Sequence, residues 1–493
     1  MKTLLLNPPF KTEYGKYSRT SRSPAITKSG TLYYPIWLAF VSGVLEDAGH
    51  EVKLVDACAD CLDRDAVFNL TRDFSPDLIL LDTSTPSIIN DVEIGGLLKG
   101  FCPTAVIALM GTHPTALPED TLNMDGRIDV VVRGEAEYTV LDLVVHLEKS
   151  LPNNYDFLSQ VAGISYRTPD GVFHNPDRPK ITNLDSLPFL SKVYKKHLNC
   201  QNYFFSAATH PMIMLMTGRG CPAQCHYCVY PQTMHSHRYV YRSTENIIQE
   251  FEYISQELPE IRSIGIEDDT FTISKERVQS FCNMLIKSGL NSRFSWWVNT
   301  RVNTLDIETM ALMKRAGCRL LIPGFESRSQ KILNNIKKGT KVEDAYTFMK
   351  NARATGLLVH GCFMVGNPGE TKATMNETLR MALDLNPDTA QFFPMIPYPG
   401  TRAFDWASKN GYLTYNKFSD WLTEDGLHNT ILNPGELTAT DLVDFCNYAR
   451  KKYYLRPQYI LRKGLQSLIS LKELKRNFMG FRQLIVHITG RYK

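Results

Sequence analysis

No uninterrupted apolar run reaches eighteen residues; the longest candidate, over 33–45, is broken by Ser42 and Gly43, so no bilayer-spanning helix is expected. The basic opening and apolar centre of a secretory leader are also missing, because a single lysine precedes the short strand-like run at 3–7. Cysteine is sparse, with eleven in 493 residues, scattered except for one tight group. That excludes a disulfide scaffold and, without a leader, points to a reducing, cytoplasmic setting where grouped thiols bind metal or do chemistry. Neither sign of charge dominates, the net being +4, and 43% of the residues are hydrophobic. A disordered chain is thereby excluded, no nucleic-acid partner is expected, and the length calls for two or three domains, each with its own core. Finally, no G-x-G-x-x-G follows the first strand, which weakens a nicotinamide or flavin dinucleotide reading.

What is present is a regular alternation. In residues 1–150, short apolar runs at 3–7, 51–56, 78–82, 105–109 and 128–132 are separated by segments of helical spacing, one of which (35–48) stops at Gly49. This α/β pattern predicts a doubly wound parallel sheet that binds ligands at the carboxyl ends of its strands. The small, polar or turn-forming residues there form the expected rim: Asn7, Pro8, Thr83, Ser84, Thr85, Gly111, His113, Gly134 and Glu135. Residues 151–205, punctuated by proline and by a hairpin signal at Asp170-Gly171, read as a linker. From 206 to 410 the alternation resumes in larger units. A helix from Ser243 puts Ile247, Phe251, Ile254 and Leu258 on one face, and another opens on a capping box at Thr340 to Glu343 and ends at Gly356. Six strands are predicted, at 212–216, 263–266, 295–298, 320–323, 357–365 and 389–396. They suit a partial TIM-type barrel with its chemistry on the loops after the strands. Residues 411–493 read as a mainly helical tail, which from Lys451 carries eleven Lys or Arg against the single acid Glu473.

The sharpest signal is CPAQCHYC at 221–228, placed after the first strand of the second unit and the flexible Thr217 to Gly220. Three thiolates so close together suit an iron–sulfur cluster, normally held by four cysteines; with three, one iron stays open for an external ligand. An open metal position implies chemistry and not a structural staple. Zinc, with a fourth ligand from His226, His235 or His237, or three unrelated buried thiols, are the competing readings. The Cys58-x-x-Cys61 pair reads as ordinary packing.

The C-x3-C-x2-C loop, with Tyr227 before its last cysteine, resembles the radical S-adenosylmethionine superfamily. Further motifs are similar to its cobalamin-binding branch: IGIEDDTF at 264–271, NTR at 299–301, GFES at 324–327, MVGNPGE at 364–370, PYPGT at 397–401, NPP at 7–9, GTHPT at 111–115 and RGEAE at 133–137. The resemblance spans roughly residues 1 to 425 and favours iron–sulfur over zinc. It implies that Cys221, Cys225 and Cys228 hold a 4Fe–4S cluster whose open iron chelates S-adenosylmethionine. It further implies reductive cleavage to a 5′-deoxyadenosyl radical that removes hydrogen from an unactivated carbon. By similarity Tyr227 lies near the adenine, Glu326 binds the ribose or methionine end, Arg301 meets the carboxylate, and Asp268 or Asp269 orients the amine or substrate. A barrel-rim salt bridge is the alternative for Arg301, and a plain helix N-terminal pair for the two acids.

The same resemblance makes the first sheet a Rossmann-like cobalamin-binding domain. The D-x-H-x-x-G motif that gives cobalt a histidine is absent, so bound cobalamin should lack a histidine lower ligand; Thr83 to Thr85 are candidates for its lower face. The stretch 217–243, with NIKKG at 335–339 and YLRP at 454–457, is similar to hopanoid-associated, ring-contracting members that act on a lipid headgroup. Methyl transfer to carbon and a non-catalytic cobalamin sensor are the alternatives. A flavodoxin or ferredoxin is the electron donor that similarity implies. Leu465, Leu468, Ile469, Leu471 and Leu474, mixed with Lys472, Lys475 and Arg476, also predict a basic amphipathic helix that can lie on an anionic membrane surface, or pack on the barrel with a solvated basic face.

Overall fold

The computed structural model describes residues 1–149 and 156–469. Five parallel strands open the chain: β1 (Lys2–Asn7), β2 (Glu51–Asp56), β3 (Leu78–Thr83), β4 (Val106–Gly111) and β5 (Val130–Val132), in the order β2-β1-β3-β4-β5. Successive side chains of a strand face opposite ways, and here both faces are covered. Leu5, Leu80 and Ala108 pack with the helix Ile36–Asp47. Leu4, Ile79 and Ile107 pack with the helix Ile88–Phe101 on the other side. This is the doubly wound sheet that the alternation predicts. The helix Ile36–Asp47 is followed by Gly49 at φ +87, the left-handed position foreseen for it.

The stretch expected to be a linker departs from that reading. β6 (Ile164–Thr168) and β7 (Gly171–His174) form the hairpin signalled at Asp170-Gly171, and β6 joins β5 antiparallel, Val130 opposite Tyr166. Residues 164–174 therefore extend the first sheet to seven strands. Proline-rich flanks mask two strands this short when only composition is read.

The second unit holds β8 (Met212–Leu215), β9 (Ser263–Ile266), β10 (Ser295–Thr300), β11 (Cys318–Glu326), β12 (Leu358–Val365) and β13 (Thr389–Pro394), paired in chain order and all parallel. β8 and β13 do not pair, so the barrel stays open along one seam. Ser243 caps the helix Thr244–Glu257 by accepting from the Asn246 amide, and Ile247, Phe251 and Ile254 are buried as the spacing requires. The helix Val342–Thr355 starts one residue later than expected: Asp344, not Glu343, closes back on the Lys341 amide at 2.8 Å. It ends on Gly356 at φ +70.

The helix Ala439–Tyr454 covers the outer edge of β13. There the Tyr454 hydroxyl accepts from the Ala390 amide (2.9 Å) and donates to its carbonyl (2.7 Å). Tyr454 thus closes a sheet edge. Among the described residues no helix is long and apolar enough to cross a membrane. The helix Pro457–Ile469 leaves Leu465 56% exposed; the rest of the predicted amphipathic tail, Leu471 to Arg476, lies outside the described residues.

Candidate active site

The cysteine loop leaves β8 through Gly218–Arg219, which pairs with Val240–Tyr241. Gly220 follows at φ +82, where a Cβ would come within 2.1 Å of the Arg238 carbonyl oxygen, so only glycine permits the turn. The loop is tied down by its own backbone. The Cys221 amide donates to the Ser236 carbonyl (3.2 Å), the His226 amide to the Ile336 carbonyl (3.1 Å), and the Gln232 side chain to the Cys228 carbonyl (2.8 Å). His237 Nδ1 lies 3.1 Å from the carbonyls of Cys221 and Ala223, and His235 Nδ1 lies 2.7 Å from Asp269. Two of the three histidines considered as zinc ligands are thus engaged elsewhere. Among the described residues no three His, Cys, Asp or Glu side chains converge on one ion-sized point.

Burial pushes the thiols of Cys221 and Cys228 upward, and Asp269 and the neighbouring cysteines add to the rise. Grouped thiols in such a place ionise only against cations, which a multi-iron cluster supplies. The donor set fits three irons of a cube with one corner open.

Above this loop lies a second group. Glu326 ends β11 at φ +61, beyond a register shift in the β11–β12 pairing, a left-handed conformation rare for a side-chain-bearing residue. Its Oε1 accepts from the Tyr227 hydroxyl (2.8 Å) and from Lys338 Nζ (2.7 Å). Its Oε2 is buried with no partner among the described residues. Glu326 is thus a strained, half-satisfied carboxylate beside the cysteine loop. Arg301 donates to the Lys338 carbonyl and reaches to 3.9 Å from Cys225 Sγ. Tyr227, Glu326 and Arg301 therefore meet at the cysteine loop, as the sequence suggests.

Asp268 does not join them. Fully buried, it accepts from the Thr217 amide (2.6 Å) and hydroxyl (2.8 Å) and from Tyr239 (3.2 Å), and pairs with Arg277 at 3.5 Å. Its oxygens are thus engaged in anchoring the base of the cysteine loop. Asp269 binds the Gly220 amide at 2.7 Å. Burial opposes its ionisation, but His235 and Arg22 hold its carboxyl below the ordinary range.

At the carboxyl ends of β3 and β4 a cleft opens between the first sheet and the cysteine loop. Arg19, Asp82, Thr85, Gly111, Val229 and Tyr230 line it. Gly111 sits at φ +121, where a Cβ would lie 2.1 Å from the Thr83 oxygen, so only glycine lets β4 end this close to β3. Burial pushes Asp82 up to about 7. Thr83 also faces this cleft, while its hydroxyl donates to Asp91 at 2.7 Å. Hydroxyl-bearing residues and glycine at the carboxyl ends of the strands suit a ligand rim, although the cleft between them is nearly closed in this structure.

Other rim residues hold the frame. Ser84 bonds Tyr17 (2.9 Å), and Asn7 bridges Asp56 (2.7 Å) and Arg19. The Pro8 carbonyl accepts from Arg19 at 3.1 Å. His113 is buried beside Thr85 (3.2 Å) with Phe418 edge-on at 4.5 Å; burial drops its pKa to about 3, and its Nε2 has no partner among the described residues. Gly134 and Glu135 were expected on the ligand rim as well. Instead Glu135 accepts from the Ile181 amide (2.7 Å) and, with Glu137, grips Arg219 of the cysteine loop. Gly134 leaves room for Lys180. RGEAE is thus a clamp between the two units.

A model of the B12-binding domain matches residues 22–144, and one of the radical SAM superfamily matches 215–382. A Pyrococcus horikoshii protein named as an uncharacterized methyltransferase is 30% identical over 94% of this chain and 94% of its own. The chain belongs to the cobalamin-binding radical S-adenosylmethionine enzymes. Like others of this family, it works with a 4Fe–4S cluster, S-adenosylmethionine and cobalamin. An anaerobic magnesium-protoporphyrin IX monomethyl ester cyclase of Cereibacter sphaeroides is 27% identical over 86% of this chain and 67% of its own. In fold, the chain is similar to the radical S-adenosylmethionine methyltransferase TsrM of Kitasatospora setae. The TM-score is 0.68 at 17% identity, covering 90% of this chain and 88% of that one. These relatives are named methyltransferases and a cyclase, which does not support ring contraction of a hopanoid headgroup.

Sequence reasoning passed over Lys338, Arg19, Arg22, Glu267 and Arg219. Lys338 stood inside the quoted NIKKG, yet only folding shows that it, and not Lys337, turns inward to Glu326. Arg19 and Arg22 lie in irregular segments, and Arg219 in a strand of two residues, where no periodicity marks a role.

Proposed function

We propose that this enzyme is a cobalamin-dependent radical methyltransferase that moves a methyl group from S-adenosylmethionine to a carbon of a small molecule. What carries the reading is full-length similarity to a protein named a methyltransferase, 30% identical over 94% of both chains. The geometry supports it, because Val229 and Tyr230, which line the strand-end cleft, follow directly on Cys228. When bound, the cluster and S-adenosylmethionine supply a hydrogen-abstracting radical, and cobalamin supplies a methyl carrier.

In this proposal Cys221, Cys225 and Cys228 hold the cluster, and Tyr227 closes one side of the S-adenosylmethionine seat. Glu326, with its free oxygen, accepts from ligand hydroxyl or ammonium groups, while Lys338 and Arg301 offer positive charge to a carboxylate. Thr83, Thr85 and Gly111 would hold cobalamin at the strand ends. The reductant is a small flavin or iron–sulfur protein.

Anaerobic turnover with methyl-deuterated S-adenosylmethionine tests the assignment. Methyl transfer yields S-adenosylhomocysteine and 5′-deoxyadenosine together with a labelled product. The similarity to a cyclase favours a second reading, ring closure, which yields 5′-deoxyadenosine without S-adenosylhomocysteine.

A further inference from the structure

One short segment touches both cofactor seats. Residues 17–26 leave the first sheet's ligand edge, fold back as the pairing of Tyr17–Ser18 with Ala25–Ile26, and thread between the two units. On the sheet side Arg19 is locked by Asp91, at 2.8 Å through Nη2 and 3.2 Å through Nε, and both side chains are buried. Arg19, Thr20 and Ser21 then form part of the wall of the strand-end cleft. On the barrel side Tyr230, two residues after Cys228, donates to the Thr20 carbonyl at 2.6 Å. Two residues after Thr20, Arg22 crosses over altogether. It pairs with Glu267, donates to the Asp268 carbonyl at 2.9 Å, lies 3.7 Å from Asp269, and covers the Tyr230 ring at 5.6 Å. Asp269 in turn binds the amide of Gly220, the residue before Cys221. An unbroken run of contacts therefore leads from the cleft wall to the first cysteine.

We propose that Arg22 is a positioning residue that links occupancy of the cobalamin cleft to the seating and electronic environment of the iron–sulfur cluster. The segment cannot shift to admit a corrin without pulling Arg22, and Arg22 cannot move without altering the charge facing Asp269 and the cysteine loop. Its positive charge also lies on the cluster side of the barrel, so its loss should make the cluster harder to reduce. A link of this kind is reciprocal and has to appear as a difference between loaded and unloaded protein.

The inference rests on placing the cluster at the three cysteines and cobalamin in the strand-end cleft. The test uses full-length protein reconstituted with iron and sulfide, with or without hydroxocobalamin, as wild type, Arg22→Met, Arg22→Lys and Tyr230→Phe. Electron paramagnetic resonance and redox titration of the cluster are the readouts, with iron and cobalamin content measured in parallel. In wild type, cobalamin should shift the cluster's signal and potential. Arg22→Met should bind both cofactors within about twofold of wild type, lose that shift and lower the cluster potential. Arg22→Lys should restore part of both effects. Tyr230→Phe, which removes only the hydroxyl grip on Thr20, should weaken the shift without changing local charge. A wild-type shift that survives in Arg22→Met, or its absence from fully loaded wild type, would overturn the inference. Wild-type protein that takes up no cluster or no cobalamin would instead overturn the placement beneath it. If Arg22→Met fails to fold, the Lys and Phe variants decide.

Discussion

Asp268 offers the sharpest separation between a ligand and a support. Its two oxygens serve different donors: Oδ1 takes the Thr217 amide at 2.6 Å, and Oδ2 takes the Thr217 hydroxyl at 2.8 Å and the Tyr239 hydroxyl at 3.2 Å. Arg277, equally buried, has it as an ionic partner at 3.5 Å. In Asp268→Asn one oxygen becomes an amide nitrogen, so at least one buried donor loses its acceptor and Arg277 loses its counter-charge. The first loss costs about 1–3 kcal/mol and breaking a buried pair about 3–5 kcal/mol. Thr217 and Tyr239 remain bonded to Arg277, which softens the second. A net destabilisation of about 3 kcal/mol is expected. Urea denaturation of cofactor-free protein at pH 8 measures it, and iron content after reconstitution should fall because Thr217 opens the cysteine loop. Unchanged stability combined with weakened S-adenosylmethionine binding would refute this reasoning and return Asp268 to the ligand site.

Cys225→Ala should abolish S-adenosylmethionine cleavage while leaving cobalamin uptake intact, as read by 5′-deoxyadenosine formation and by the absorbance of bound corrin. Lys338→Met removes the charge beside Glu326 and should weaken S-adenosylmethionine binding about tenfold in equilibrium titration, with Tyr227→Phe the milder of the two; equal affinities would mean that this group is purely structural. Burial pushes Glu370 from 4.5 up to about 7, so between those values the folded protein holds a proton that the unfolded chain releases. Stability from this group is therefore fully present at low pH and is lost as pH rises toward 7. Raising pH from 5.5 to 7.5 should cost wild type about 2 kcal/mol more than Glu370→Gln in parallel denaturation curves.

Much of this architecture is legible in one dimension because it rests on local rules. Doubly buried strands are apolar along most of their length, as Leu78 to Leu81 are before the polar strand end at Asp82 and Thr83, Ser243 announces its helix by capping it, and Gly49 and Gly356 mark ends that need a left-handed residue. CPAQCHYC is legible for a chemical reason, since thiols in that spacing have few other uses. The hairpin at 164–174 was signalled by Asp170-Gly171, but its pairing with the first sheet was hidden, as were Arg22, Lys338 and the grip of Glu135 on Arg219, by distance. Arg22 and Glu267 lie 245 residues apart, and nothing in either neighbourhood names the other. The IGIEDDTF motif shows the remaining ambiguity: three consecutive acids look alike in sequence, but folding gives Glu267 to Arg22, Asp268 to Thr217 and Asp269 to Gly220.

The unpaired seam between β8 and β13 has a practical corollary for anyone wishing to separate the two halves. Tyr34, from the amino-terminal half, donates to the Met212 carbonyl of β8 at 2.9 Å, and Tyr454 seals the opposite border at Ala390. A fragment beginning at residue 206 forfeits the first of these stoppers and bares a raw strand margin, the kind of surface on which chains stick to one another. Grafting or trimming this catalyst should therefore carry the 17–34 stretch along with the barrel.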